Sequence, residues 1–461
     1  MANPKAFTAV AANQLNQPPG PHTSLLKIVF PPKDADDPLA DMLNIWKQYG
    51  DIAFREIGPI RNYMLFDPEY VYHVLVTNHR NYIKGPGYDG FRLLAGQGLV
   101  TSDGEMWKRQ RRLMSPHFTP TAVLDYSEMM AETIDDVLYR WEKAAQDGRP
   151  LNMDVEMMRL TMRVIGRALF SLDLGQELAE IGNVIQEAFA FIPEHSLNPL
   201  VPFWLPLPSH RRFARNLKIV NQFVYDQIAE GRLHPERENF LSVLLQAHDP
   251  ESGQGMSDRQ LRDEFVTLFF AGFETTARTL TWSWYLLHKH PEILQKVRAE
   301  ADSVFKEKRP TSSADLERLT YTRMVVDETL RLYPPTAILP RQNIEADEVG
   351  GYTIPPMSFI SVSPYIVHRY PDYWPDPERF DPERFNPENA AARPKWAYIP
   401  FAAGPRVCIG NSFSLMEMVY TVAMTAQRFD LKQTPEEEIT ARFVGTTRPT
   451  KPLYMQVSPR L

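Results

Sequence analysis

One cysteine in 461 residues excludes two classes of architecture. A disulfide framework and a cysteine-only zinc cluster both need more thiols than Cys408 alone supplies. A single free thiol fits a reducing compartment. Long hydrophobic runs are also missing. The longest, Leu25–Phe30 and Val266–Phe273, fall well short of the ~18 apolar residues that cross a bilayer. The N-terminus offers Lys5 and a weak apolar stretch that stops at Asn13, which makes a poor secretory signal. The expectation is a soluble, cytoplasmic chain without a transmembrane anchor. Basic excess is absent too: 50 Lys and Arg against 57 Asp and Glu leave a net charge of −7. That balance argues against nucleic acid as the main partner. Glycine is scarce beside proline, 22 against 40, which implies rigid turns and capped helix starts. With 43% apolar and 23% charged residues, the bulk of the chain is ordinary globular material, free of repeats.

The punctuation divides the chain into a lead-in over residues 1–36, centred on Pro18-Pro19-Gly20-Pro21, and a single domain over residues 37–461. Asp37 caps a helix that Pro38 opens and Gly50 closes. Alternation over Ile52–Ile57 and Tyr63–Phe66, around Gly58-Pro59, predicts a small hairpin. Ser102 with Glu105 forms a capping box that predicts a helix from Asp103, ending before Pro116. Ser257 with Gln260 forms another, opening a periodic run to His290. At 1.5 Å per residue that helix is about 48 Å long and must cross the whole molecule. Thr320–Leu332 is a further helix, stopped by Pro334-Pro335, and residues 345–400 turn irregular. The fold class expected is mainly α with small β-sheets.

Four groups of residues carry chemistry. Around the cysteine, residues 401–410 read Phe-Ala-Ala-Gly-Pro-Arg-Val-Cys-Ile-Gly. An isolated buried cysteine is usually a small hydrophobe. Here Gly404 and Gly410 allow close backbone approach, Arg406 places a cation nearby, and a helix begins after Gly410. All three favour a thiolate. A lone thiolate can be the only protein ligand of a metal that haem already holds. Glu328 and Arg331 share a helix face and form an ion pair. Ala271-Gly272-Phe273-Glu274-Thr275-Thr276 sets an acid and a hydroxyl midway along the long helix, where they can hold water and pass protons. Trp107 and Arg111 stand four apart on the helix capped near Ser102.

The string Phe401-x-x-Gly404-x-Arg406-x-Cys408-x-Gly410 resembles the haem-binding signature of the cytochrome P-450 superfamily. Ser414 stands where the family often has alanine, a mild departure. The resemblance runs from the first helix to about residue 450, with all four groups in family order. It implies a triangular-prism fold, soluble and prokaryotic in type, whose long central helix crosses the distal face of haem b. Cys408 would be the axial iron ligand. Trp107, Arg111, Arg341 and Arg406 would meet the propionates, and Ala271 and Phe401 count among the cofactor-binding positions. Three arginines suit two carboxylates. Thr275 would hydrogen-bond dioxygen and Glu274 would feed it protons. Glu328, Arg331 and Arg384 would form a buried network below the cysteine loop; Arg379, in a copy of the same Pro-Glu-Arg-Phe string, is the rival third member. Pocket lining would include Phe270, Phe273, Thr336, Ala337 and Ile338.

The function this implies is insertion of one oxygen atom of O2 into a lipophilic substrate such as a fatty acid, terpenoid or steroid. Electrons would come from a ferredoxin or flavodoxin and its reductase, with NAD(P)H used only indirectly. Lys108, Arg109 and Arg112 offer a basic docking patch in an acidic, monomeric chain. The alternatives are a haem-thiolate peroxygenase or isomerase, and a non-catalytic haem- or lipid-binding protein. Residues 188–208, with Phe189, Phe191 and Trp204, are read as core, a channel mouth or a membrane-touching surface. Gly85-x-Gly87-x-x-Gly90 satisfies a dinucleotide pattern, but polar residues precede it where a strand is required. It is read instead as a mobile loop over the active site.

Overall fold

The computed structural model describes residues 16–21, 37–57, 60–170, 177–197, 205, 207–237, 239–306, 309–310 and 312–460. Helices dominate. Those that frame the site are α1 (Pro38–Tyr49), α2 (Asp89–Ala95), α3 (Gly104–Met114), α4 (Ser127–Gln146), α5 (Met153–Phe170) and α6 (Glu177–Leu197). They continue with α7 (Pro208–Leu233), α8 (Asp258–Lys289), α9 (Pro291–Val304), α10 (Thr320–Leu332) and α11 (Asn411–Arg428). A five-stranded sheet joins β1 (Ile52–Ile57), β2 (Ile60–Leu65), β3 (Tyr82–Ile83), β4 (Leu339–Asn343) and β5 (Phe359–Val362) in the order β1-β2-β5-β4-β3. Only the β2–β5 pair is parallel. A late hairpin pairs β6 (Ala441–Val444) with β7 (Thr446–Pro449).

The capping signals fixed two helix starts. Asp37 accepts from the Leu39 amide and Gly50 closes α1. Ser257 accepts from the Gln260 amide at 3.2 Å, and α8 runs 32 residues from there. It is wrapped by protein along its length, packing on α5, α7, α10 and α11. A helix enclosed on all sides must satisfy its polar groups internally, and that requirement shapes the site below. One large apolar cluster joins the helices, including Trp141, Trp282 and Trp284, and a second lies against the sheet.

Two expectations need correction. Ser102 does not cap α3: its hydroxyl bonds Gln110 Oε1 instead, and Asp103 occupies the cap position. The Gly85–Gly90 segment packs against β4 rather than standing free. A Cβ on Gly85 would come within 2.6 Å of Gln342 Cβ, and one on Gly87 within 2.8 Å of Pro340 Cβ. The glycines therefore serve close approach to the strand that carries Arg341. Part of the lead-in lies against the body, since the Phe54 amide donates to Pro19 O at 2.9 Å. Residues 1–15 and 22–36 lie outside the described residues.

Candidate functional site

The cysteine loop is a series of short turns between Ile399 and α11. The Ala402 amide donates to Ile399 O at 3.1 Å, Val407 to Gly404 O at 3.0 Å, and Cys408 to Phe401 O at 2.9 Å. Gly404 has φ +69°, and a Cβ there would lie 2.1 Å from Leu75 O, so only glycine fits. Ala402 also takes a positive φ, 60°, a strained conformation for a residue with a side chain. The Cys408 side chain keeps accessible surface although protein surrounds it, as expected of a group facing an enclosed space. Burial pushes its thiol up, while the Gly410 amide and the Arg111 guanidinium pull it down.

Cations gather beside this loop. Arg111 donates to Val407 O at 2.9 Å, and Arg406 lies 3.9 Å over the Trp107 ring. Arg341 is 3% exposed and reaches Tyr88 Oη at 3.5 Å. Lys84 bonds the same phenol at 3.1 Å. Burial lowers Lys84 to about 8, with Arg341 and Arg406 adding repulsion. Tyr88 is lowered to about 8 as well, because Lys84 and Arg341 outweigh its burial. Among the described residues, only Arg406 of these four cations has a carboxylate partner, Asp103 at 2.6 Å. A buried cluster with this excess of positive charge calls for an anion.

On α8, every residue from 261 to 287 is buried except Phe270, Ala271, Gly272 and Thr275. The middle of an enclosed helix therefore presents one short accessible face, about one turn long. The Thr275 hydroxyl donates to Ala271 O at 2.8 Å. Glu274 points elsewhere and is fully buried. Its Oε1 accepts from Arg278 Nε at 3.0 Å, Thr446 Oγ1 at 2.9 Å and Arg448 Nη2 at 2.8 Å, while Oε2 has no partner among the described residues. Arg278 also bonds Asp154, which reaches the surface with 31% of its side chain exposed.

On α10, Arg331 grips Glu328 with two bonds, Nε to Oε2 at 2.6 Å and Nη2 to Oε1 at 2.8 Å. The Asp381 amide donates to Oε1 at 2.9 Å. Arg384 Nε stands 3.5 Å from the same oxygen. Arg379 enters only through its carbonyl, which accepts from Arg331 at 3.2 Å. Burial pushes the Glu328 carboxyl up against the pull of Arg331.

The family model for cytochrome P-450 matches residues 17–457. The chain belongs to the cytochrome P-450 family. Cyclooctatin synthase of Streptomyces melanosporofaciens is 36% identical over 398 residues, covering 86% of each chain. Pentalenene oxygenase of Streptomyces avermitilis is 33% identical over 421 residues, 89% of this chain and 91% of the relative. Among solved structures, the cytochrome P-450DA heme domain superposes with a TM-score of 0.88 at 24% identity, covering 97% of this chain and 98% of that one. The fold is thus a cytochrome P-450 fold, mainly α with small sheets. Its family uses haem b and dioxygen, and this P-450 is a monooxygenase. No helix among the described residues is long and apolar enough to cross a membrane.

Several positions read from sequence fall differently in the P-450 fold. Phe273 is fully buried and packs edge-on to Phe269 and Phe270, so it is core rather than lining. Ala337 is fully buried as well. Ile338 packs on the cluster of Met42, Ile45 and Ile366 and, like Thr336, keeps accessible surface. Phe270 stacks on Phe189 at 3.8 Å, and Phe91 of α2 meets both rings edge-on. Residues 198–204 lie outside the described residues. The docking patch is largely committed. Arg109 holds Gln254 O, Gly255 O and Gln260, and Arg112 holds Asp249 and Glu251. Lys108 remains exposed, paired with Glu105 at 2.6 Å. Lys84, Tyr88, Arg278 and Arg448 were missed, because nothing in their local sequence announces partners 100 residues or more away, or a shared anion site.

Proposed function

We propose that this P-450 hydroxylates or epoxidises a cyclic terpenoid hydrocarbon, with Cys408 as the axial ligand of haem b. The accessible face of α8 carries the reading. Phe270, Ala271 and Gly272 are apolar, Thr275 is the one hydroxyl beside them, and Phe91, packed on the buried Phe189 ring, extends the apolar surface. An apolar wall with a single polar group suits a hydrocarbon skeleton better than a charged substrate. The names of two relatives, cyclooctatin synthase and pentalenene oxygenase, support the same class.

The residues fit the cofactor. Cys408 keeps accessible surface beside the Arg111 guanidinium and the Gly410 amide, which would steady a thiolate on iron against the burial that holds the thiol up. The under-neutralised set of Lys84, Arg111, Arg341 and Arg406 suits two propionates, with Trp107 under the Arg406 guanidinium. Phe401 and Ala271, which both keep accessible surface, would complete the haem-facing set. When bound, haem supplies the redox chemistry that activates dioxygen. Thr275 then positions a hydroxyl proton at its Oγ1, close to the Ala271 carbonyl it now uses. Glu274 Oε2 is the free acceptor that can hold water behind it. Glu328, Arg331 and Arg384 brace the loop from below.

A ferredoxin or flavodoxin is the electron donor in this reading, and Lys108, exposed and paired only with Glu105 of its own helix among the described residues, is the contact proposed. Lys108→Glu should slow reduction at low salt; unchanged reduction removes Lys108 from the interface. The primary test is the reduced, carbon-monoxide difference spectrum beside Cys408→Ala. A strongly red-shifted Soret band, lost in the variant, supports thiolate ligation, and a histidine-type band overturns it. Titration with cyclic sesquiterpene and diterpene hydrocarbons should then shift the spin state. A response to fatty acids alone would overturn the substrate class.

A further inference from the structure

His368 follows the short helix Pro364–Val367, is fully buried, and has no part in the site described so far. All its polar atoms are engaged. Its carbonyl accepts from Arg331 Nη1 at 3.0 Å. Its Nδ1 lies 3.2 Å from Arg331 O, and its Nε2 lies 2.9 Å from the Ile399 amide nitrogen. These contacts fix the tautomer. A backbone N–H can only donate, so Nε2 must accept; a carbonyl can only accept, so Nδ1 must carry the proton. The ring is neutral and reads one group from each side.

The Ile399 peptide opens the cysteine loop. Its carbonyl takes the Ala402 amide at 3.1 Å, closing the turn that forces Ala402 to φ 60°. Phe401, inside that turn, takes the Cys408 amide at 2.9 Å. A continuous path thus runs from Glu328 through Arg331, His368 and Ile399 to the peptide that holds Cys408. We propose that His368 is the positioning residue that couples the buried Glu328–Arg331 pair to the cysteine loop and so keeps the thiolate in register with its ligand site. This rests on Cys408 being the haem ligand.

The surroundings keep the imidazole neutral. Burial disfavours its charged form, and Arg331, Arg369 and Arg393 repel a proton. The Tyr398 ring packs 5.2 Å away, and its hydroxyl faces Asp327 rather than the imidazole. A second ring proton would point at the Ile399 N–H and break the path.

The test compares His368→Leu, which removes both ring bonds, with His368→Gln, whose amide can accept from Ile399 and donate to Arg331 O. The readout is the ferrous carbon-monoxide Soret band at equal haem content. The wild type should show the red-shifted thiolate band. His368→Leu should move most of it to the shorter-wavelength form of a protonated or displaced thiol, and His368→Gln should restore it. A Leu variant with an undiminished thiolate band, or a Gln variant as impaired as Leu, overturns the proposal. A wild type lacking the red-shifted band would instead overturn the ligand assignment. Should His368→Leu fail to fold, hydrogen exchange of the wild-type holoenzyme decides. The Ile399 amide should be protected at least about 100-fold, like amides inside α10. Rapid exchange at Ile399 overturns the proposal.

Discussion

Two buried glutamates, each clasped by an arginine on its own helix, are satisfied very differently. On α10, both oxygens of Glu328 are bonded, and the donors come from Arg331 and the Asp381 amide. On α8, Glu274 takes three donors on one oxygen and none on the other. The first arrangement closes every valence and fixes the chain that leads to Cys408. The second leaves a buried acceptor unpartnered, among the described residues, on the residue that precedes Thr275 but points away from the accessible face. Its cations also have other compensation: Asp154 serves Arg278, and Arg448 is partly exposed. A fully satisfied buried pair is a brace; a half-satisfied one can exchange partners.

The largest effect expected is the difference between Glu328→Gln and Glu274→Gln. Removing the Glu328 charge strands Arg331 in a site with no exposure and should cost about 3–5 kcal/mol in denaturant unfolding of the holoenzyme. Glu274→Gln should cost clearly less, because an amide oxygen can keep the Thr446 bond while Asp154 still neutralises Arg278. It should instead lower product formed per electron consumed by a factor on the order of 10². Equal stability losses in the two variants would erase the distinction. Thr275→Ala belongs to the same test: electron uptake should persist while yield falls, with Tm within about 2 °C of the wild type.

Much of this comparison was visible in sequence, and the part that was not has a physical reason. Local rules found α1, α8 and α10, because caps and prolines act within one turn. The Glu328–Arg331 pair was legible for the same reason, being three residues apart. Glu274 was legible as an acid beside a hydroxyl, but its partners were not. Thr446 and Arg448, and the Asp154 that shares Arg278 with it, come from elements separated from it by more than a hundred residues. The Ser102 box failed because Gln110, buried beside it, competes for the hydroxyl. Phe273 was misplaced because an all-round buried helix gives no periodic sign of which apolar residue faces a pocket.

A smaller contrast sharpens the description of the braced side. Two neighbouring residues of the cysteine loop take positive φ, but only one is glycine. Gly404→Ala must push Leu75 O away from a Cβ 2.1 Å distant and should cost more than ~2 kcal/mol, with loss of haem. Ala402→Gly relieves strain and should change stability by no more than about 1 kcal/mol in either direction, since glycine also loosens the unfolded chain. If the two substitutions destabilise equally, the strain assigned to Ala402 is not there.

The last test asks whether half-satisfaction alone marks a working acid. Glu264 lies ten residues before Glu274 on the same helix and is also fully buried. Its Oε2 accepts from the Leu99 amide at 2.9 Å, and Oε1 has no partner. No arginine among the described residues is bonded to it, and burial pushes its carboxyl up to about 8, with nearby Asp263 adding to the rise. The folded protein therefore holds a proton there that the unfolded chain releases near pH 4.5. Stability contributed by this group is complete below that pH, declines as pH rises toward 8, and is constant above. Glu264→Gln should flatten that decline and raise Tm at pH 8 by at least ~2 °C, leaving product per electron unchanged. A fall in yield would make Glu264 part of the proton supply, and an unpartnered oxygen would then suffice to identify such acids. An unchanged yield means that the arginines and the neighbouring hydroxyl, which Glu264 lacks, are what distinguish Glu274.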